Sequence, residues 1–117
     1  MATETILKAI AAHIGEKEVL SQMKEEAAEL IVAANKTRRA SDGLNPTPIS
    51  REEAEEMILE EMADLSNCVM ALGLNTPMNL LKIKGMMYQK AQRWAERVGA
   101  TIENPCETDL NVEEKGK

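Results

Sequence analysis

Two acidic segments decide how this chain folds: KEEAAEL at Lys24–Leu30 and EEMADL at Glu60–Leu65. In each segment two carboxylates stand three residues apart, which is close to one turn of an α-helix. The Ala, Leu and Met residues around them favour helix, and apolar residues recur at helical spacing. Both segments are therefore predicted to be helical, with carboxylates close to the hydrophobic face.

The positions of these carboxylates on their helices are unusual. Residues three and four positions apart share a helix face. For Glu61 these neighbours include Met57 and Leu65, so Glu61 lies within the apolar stripe. Glu26 has Leu30 as such a neighbour and lies on the flank of its own stripe. The second carboxylate of each pair, Glu29 or Asp64, lies toward the polar edge.

Acidic pairs of this kind have two interpretations. A Glu-rich helix face is usually just solvated. Two pairs beside the core, on consecutive helices that a loop makes antiparallel, favour a shared site instead. Burying several carboxylates together costs free energy and raises their pKa values, and a divalent cation removes both penalties. An all-carboxylate site suits Mg²⁺, Mn²⁺ or Ca²⁺, and Mg²⁺ commonly shares its ligand shell with substrate phosphates.

The composition favours an all-α, four-helix bundle-like fold, since Phe is absent and Met, Ala, Glu and Lys are abundant. Caps and apolar spacing predict helices over about Thr3–Ile14, Glu16–Asn35, Ser50–Leu72 and Met78–Val98. Thr3 is expected to cap the first helix, and Ser50 with Glu53 to form a capping box. We expect one helical domain over residues 1–103, a mobile loop at about 36–49, and a loose tail over 104–117.

Charge and cysteine content exclude several function classes. The net charge of −6 disfavours nucleic-acid binding, which requires a concentrated basic surface. No segment approaches the roughly 20 apolar residues of a membrane helix, and no signal-peptide pattern opens the chain. Cys68 and Cys106 form neither a CxxC pair nor a disulfide framework, so a reducing cytoplasmic location is expected.

The fourth helix carries a basic stripe. Lys90, Arg93 and Arg97 follow helical spacing and could neutralise a polyphosphate, although a solvated basic face gives the same pattern. Trp94 lies between them, where it could stack on a nucleobase or pack in an interface.

In sequence, EEAAE at Glu25–Glu29 followed by EEMAD at Glu60–Asp64 resembles the EExxE…ExxD signature of the MazG-like, all-α nucleotide pyrophosphohydrolases. The similarity extends from HIGEKEVLSQ through the two motifs to KAQRWAERV and is closest to the short, single-domain, often phage-associated branch. The acidic motifs are moderately specific. Outside these motifs, the similarity to the family is weaker and lies in the pattern of predicted helices.

This resemblance implies a Mg²⁺-dependent enzyme, with Mn²⁺ as a possible substitute, that cleaves nucleoside triphosphates to monophosphates and pyrophosphate in housecleaning of the nucleotide pool. It implies a homodimer or homotetramer. It also implies a role for several site residues: Glu26, Glu29, Glu61 and Asp64 as metal ligands, Glu25 as the residue that orients or deprotonates water, and Lys90 and Arg93 as phosphate-binding residues. Gln22, one turn from Glu26, and Trp94 are possible base contacts.

Two other functions fit the same sequence. The chain could be a non-catalytic helical module that binds nucleotide or acts in assembly. It could also be a metal-dependent hydrolase of another phosphorylated metabolite. An ordinary ATPase is disfavoured because no Walker-type phosphate loop is present.

Overall fold

A computed structural model describes residues 1–42, 44 and 47–102 of the chain. The prediction of an all-α fold is confirmed, because the described residues form helices and contain no strand. The four helices are α1 (Thr3–Ile14), α2 (Glu16–Asp42), α3 (Arg51–Ala71) and α4 (Pro77–Val98). None of them has the length and apolar character that crossing a membrane requires.

Helix ends follow local capping chemistry. The Ser50 hydroxyl accepts a hydrogen bond from the Glu53 amide at 3.0 Å, as predicted. Gly99 ends α4 in the left-handed conformation, at φ 71°, which costs a glycine little. The prediction that Thr3 caps α1 is wrong, since the cap residue is Ala2 and makes no side-chain bond. Thr76, which the sequence analysis did not single out, caps α4 by accepting from the Asn79 amide.

Helix α2 is longer than the sequence predicted. It continues past Asn35 to Asp42, so the first half of the predicted 36–49 loop is helical. Thr37 is buried, and its hydroxyl donates to the Ala33 carbonyl at 2.9 Å. Ser41 makes the same type of bond to Thr37. The polar KTRRASD segment therefore continues the helix, and the connection to α3 is shorter than expected. The predicted tail over 104–117 and Cys106 lie outside the described residues.

The chain divides into two compact units, Met1–Leu74 and Asn75–Lys117. The sequence analysis expected one helical domain over residues 1–103. In the first unit α2 packs along α3, and α1 packs against both. Contacts between Ser41 and Arg51 near one end, and between Glu26 and Glu61 further along, show that α2 and α3 are antiparallel. Helix α4 forms the described part of the second unit and has no buried residue.

The core of the first unit is small. Its buried apolar side chains are Leu7, Val19, Ala33, Ala54 and Cys68. Ala33 and Ala54 are 1% and 0% exposed, so the contact between α2 and α3 is made by the smallest side chain that carries a Cβ. Small side chains at a helix contact allow the two axes to approach closely. This close approach determines how near the carboxylates on the two helices come to each other.

Candidate metal centre

Carboxylates from α2 and α3 converge in the first unit. One ligand oxygen from each of Glu26, Glu29 and Glu61 lies within 4.8 Å of the others. Glu26 and Glu29 are one turn apart on α2, and Glu61 faces them from α3. Ala33 lies two turns beyond Glu26, and Ala54 two turns before Glu61. In an antiparallel pair these alanines occupy the same level, so their close packing holds the facing carboxylates together.

Burial distinguishes the members of this cluster. Glu26 is only 9% exposed, Glu61 is half-buried, and Glu29 is exposed. Gln22, one turn before Glu26, donates its amide N–H to Oε1 of Glu26 at 2.7 Å. The other oxygen, Oε2 of Glu26, is buried without a hydrogen-bond partner among the described residues, and so is Oε2 of Glu61. Buried carboxylate oxygens without partners are costly, and a cation would satisfy both.

The titration of the cluster reflects crowding of like charges. Burial, with Glu26 and Glu29 nearby, raises the pKa of Glu61 to about 7. The Gln22 hydrogen bond, followed by the nearby Glu61 carboxyl group, lowers the pKa of Glu26. Below about pH 7 and without a cation, Glu26 is therefore the ionised partner and Glu61 mostly holds the proton.

The remaining predicted ligand, Asp64, is exposed and is not among the three converging carboxylates. Its carboxyl group is nevertheless partly desolvated by its surroundings. This desolvation, followed by the charge of Glu26, raises the pKa of Asp64. The same surroundings act on Cys68, whose thiol pKa is raised by burial and by the charges of Glu26 and Asp64. The carboxylate of Asp64 thus lies close enough to Glu26 to influence it, at the edge of the cluster.

The spacing and chemistry of the cluster can be compared with those of a site for a hard divalent cation. Oxygens on opposite sides of Mg²⁺, each about 2.1 Å from it, are about 4.2 Å apart. One oxygen from each of the three carboxylates lies within 4.8 Å of the others, whereas adjacent oxygens of an octahedral Mg²⁺ shell are about 3.0 Å apart, so the carboxylates would have to draw closer around an ion. The ligand set consists of carboxylate oxygens alone, which favours Mg²⁺ or Mn²⁺ over Zn²⁺ or copper.

A cavity of about 200 Å³ opens beside the carboxylates. Its apolar wall comes from all three helices of the first unit and includes Leu7, Ile10, Ile14, Val19, Cys68 and Ala71. The polar residues among its lining are Gln22, Glu26, Asp64 and Asn67. An apolar cavity with a few convergent polar groups is typical of a small-molecule site. Sequence analysis missed Asn67 and the residues of α1, because no local pattern shows which residues a cavity joins.

The other predicted site residues are exposed on their helices. Glu25 is exposed and precedes Glu29 by one turn. Lys90, Arg93 and Trp94 are exposed on α4, in the second unit, and Trp94 is 63% exposed. Their roles toward phosphate and base stay predictions.

Comparison with known proteins adds no further assignment: the chain matches no family model, no curated protein and no solved structure. The site's own geometry is therefore the basis of the functional proposal.

Proposed function

We propose that this protein is a Mg²⁺-dependent nucleoside triphosphate pyrophosphohydrolase. The observation that carries the proposal is the convergence of Glu26, Glu29 and Glu61 with two buried carboxylate oxygens that have no partner. The adjoining cavity supports it, because its apolar residues suit a base or sugar and Glu26 of the cluster is among its lining residues. The order of the EExxE and ExxD motifs supplies the reaction class by resemblance.

In the proposed reaction a water molecule attacks the α phosphorus of the nucleotide. Glu25 accepts the proton that the water loses, the bond from the α phosphorus to the bridging oxygen breaks, and pyrophosphate leaves with that oxygen. A bound Mg²⁺ would polarise the phosphate and offset its charge. Glu26, Glu29 and Glu61 would hold the ion, with Asp64 completing the shell at the cluster edge. Gln22 keeps the Glu26 carboxylate ionised and oriented.

The test of this function is release of pyrophosphate from a panel of dNTPs in the presence of Mg²⁺. We expect at least one nucleotide to be cleaved to monophosphate and pyrophosphate, and Glu61→Gln to reduce the rate about a hundredfold or more. Glu56→Gln is the matched control, since Glu56 is an exposed residue of the same helix. The enzyme proposal fails if no nucleotide is cleaved. Nucleotide binding without product would support the non-catalytic module instead.

We also propose that the active form is a homo-oligomer in the cytoplasm. Large apolar side chains are exposed on α2 and α3, among them Ile31 at 64%, Leu59 at 58% and Met62 at 52%. Exposed large apolar side chains are typical of an interface, and a second copy of the chain offers the same side chains in return. The cytoplasm supplies nucleoside triphosphates and keeps the Cys68 thiol reduced.

A further inference from the structure

Two cations near the end of α2 have no role in the reaction described so far. Lys36 is half-buried, and no hydrogen bond or ion pair joins its ammonium group to any other residue that the structure describes. Arg39 is also half-buried, and its Nε atom is buried without an acceptor among the described residues. Their partial burial distinguishes them, because the other lysines and arginines that the structure describes are exposed.

The register of α2 places Lys36 on the same side as the metal centre. Lys36 follows Glu29 by seven residues, close to two helical turns, so their Cα atoms share a face about 10 Å apart along the axis. Side chains on a helix lean toward its N-terminus, so the long Lys36 side chain reaches back toward Glu29. Arg39 follows Lys36 by three residues and is its neighbour on the helix surface.

The cavity lies toward the other end of this site. It is lined by Val19 and Gln22, which precede Glu26 on α2, and by residues of α1. Along α2 the order is therefore apolar cavity, carboxylates, then unpaired cations. A nucleoside triphosphate has the same order: an uncharged base and sugar, the α phosphate, and the β and γ phosphates, which carry most of the negative charge. An ammonium group binds phosphate as a point charge, without strict geometry.

We propose that Lys36, assisted by Arg39, binds the β and γ phosphates and thereby selects triphosphates over monophosphates. This inference rests on the proposed function. Its two cations belong to the first unit and are different residues from Lys90 and Arg93 on α4. Lys36 is a binding residue, so its removal weakens pyrophosphate binding and leaves the carboxylate cluster intact.

The experiment measures inhibition by the two products and binding of inorganic pyrophosphate with Mg²⁺ by calorimetry. For Lys36→Gln we expect pyrophosphate affinity to fall roughly tenfold to a hundredfold, the range for a charge-assisted hydrogen bond. KM for the triphosphate rises by a similar factor, while inhibition by the nucleoside monophosphate is unchanged. Lys36→Arg keeps the charge and restores most of the affinity. The matched control is Lys24→Gln, an exposed lysine on the opposite face of α2.

Each outcome separates this inference from the proposed function. If Lys36→Gln binds pyrophosphate as tightly as the unchanged protein, and nucleotide hydrolysis is intact, the inference is wrong and the function stands. Equal weakening toward pyrophosphate and monophosphate also overturns it, because the contact would not be with the outer phosphates. If the unchanged protein neither hydrolyses a nucleotide nor binds pyrophosphate, the proposed function itself fails.

Discussion

At the scale of single residues, Glu61 determines how the metal-free protein responds to pH. Its pKa of about 7, above the ordinary 4.5, means that the folded chain binds this proton more tightly than the unfolded chain. The resulting stabilisation is complete below the unfolded pKa and is lost as pH rises through about 7. Asp64, whose pKa is also raised, contributes with the same sign. The pKa of Glu26 is lowered, so the stabilisation that Glu26 contributes is present above its ordinary pKa of 4.5 and is lost as pH falls through its lower folded pKa.

We therefore predict that the thermal midpoint of the metal-free protein falls between about pH 5 and pH 8. Glu61→Gln cannot ionise and should give a flatter profile, whereas Glu56→Gln should keep the slope. Scanning calorimetry in chelator at a series of pH values measures this. A slope that persists in Glu61→Gln would assign the effect to another group. Adding Mg²⁺ at pH 8 should restore the midpoint, because ligand binding to the folded state stabilises it.

Substitution of Glu25 should affect kcat and metal affinity differently from substitution of the converging carboxylates. Glu25 is exposed and lies outside the group of three, so its proposed role is toward water rather than the cation. We predict that Glu25→Gln lowers kcat on the order of a hundredfold to ten-thousandfold, the range for loss of a general base. Its Mn²⁺ affinity, measured by calorimetry, should stay within about twofold of the unchanged protein. A parallel loss of Mn²⁺ affinity would instead make Glu25 a ligand.

At the scale of elements, we expect the distance between α2 and α3 to determine how close Glu26 and Glu61 lie. Ala54 is fully buried, at 0% exposure, where α3 meets α2. A larger side chain there overpacks the contact, at a cost of about 1–3 kcal/mol, and moves the helices apart. We predict that Ala54→Leu lowers stability by that amount and weakens Mn²⁺ binding as Glu26 and Glu61 separate. Ala63→Leu, at an exposed position on the same helix, is the control and should change neither property.

The measurements for Ala54→Leu are denaturant unfolding and calorimetric titration with Mn²⁺. Loss of stability with unchanged Mn²⁺ affinity would show that the carboxylates adjust independently of the helix contact. The proposed dependence of the site on helix spacing would then be wrong.

Element by element, the sequence predicted much of what depends on neighbours along the chain, although the cap of α1 was predicted wrongly and the Thr76 cap of α4 was missed. The Ser50 cap acts through a local bond and was predicted correctly, as was the end of α4 at Val98. The position of Glu26 and Glu61 beside the core followed from helical periodicity. The extension of α2 to Asp42 was missed because KTRRASD has a loop-like composition, which the burial of Thr37 and its bond to the Ala33 carbonyl override. The cavity joins residues of three helices, so no local pattern could reveal it.

At the scale of the whole molecule, the exposed apolar side chains on α2 and α3 are the proposed interface of the homo-oligomer. Ile31 is 64% exposed in the single chain, so replacing it with a charged residue removes little packing within the fold. In a homo-oligomer the same change would bury an unpaired charge in the interface, which is strongly unfavourable. We predict that Ile31→Glu dissociates the assembly into monomers that stay helical. Light scattering after size exclusion, with circular dichroism, measures both properties, and Lys24→Glu is the control on a polar part of α2. A monomeric unchanged protein, or an Ile31→Glu protein that remains assembled, would contradict the placement of the interface on this face.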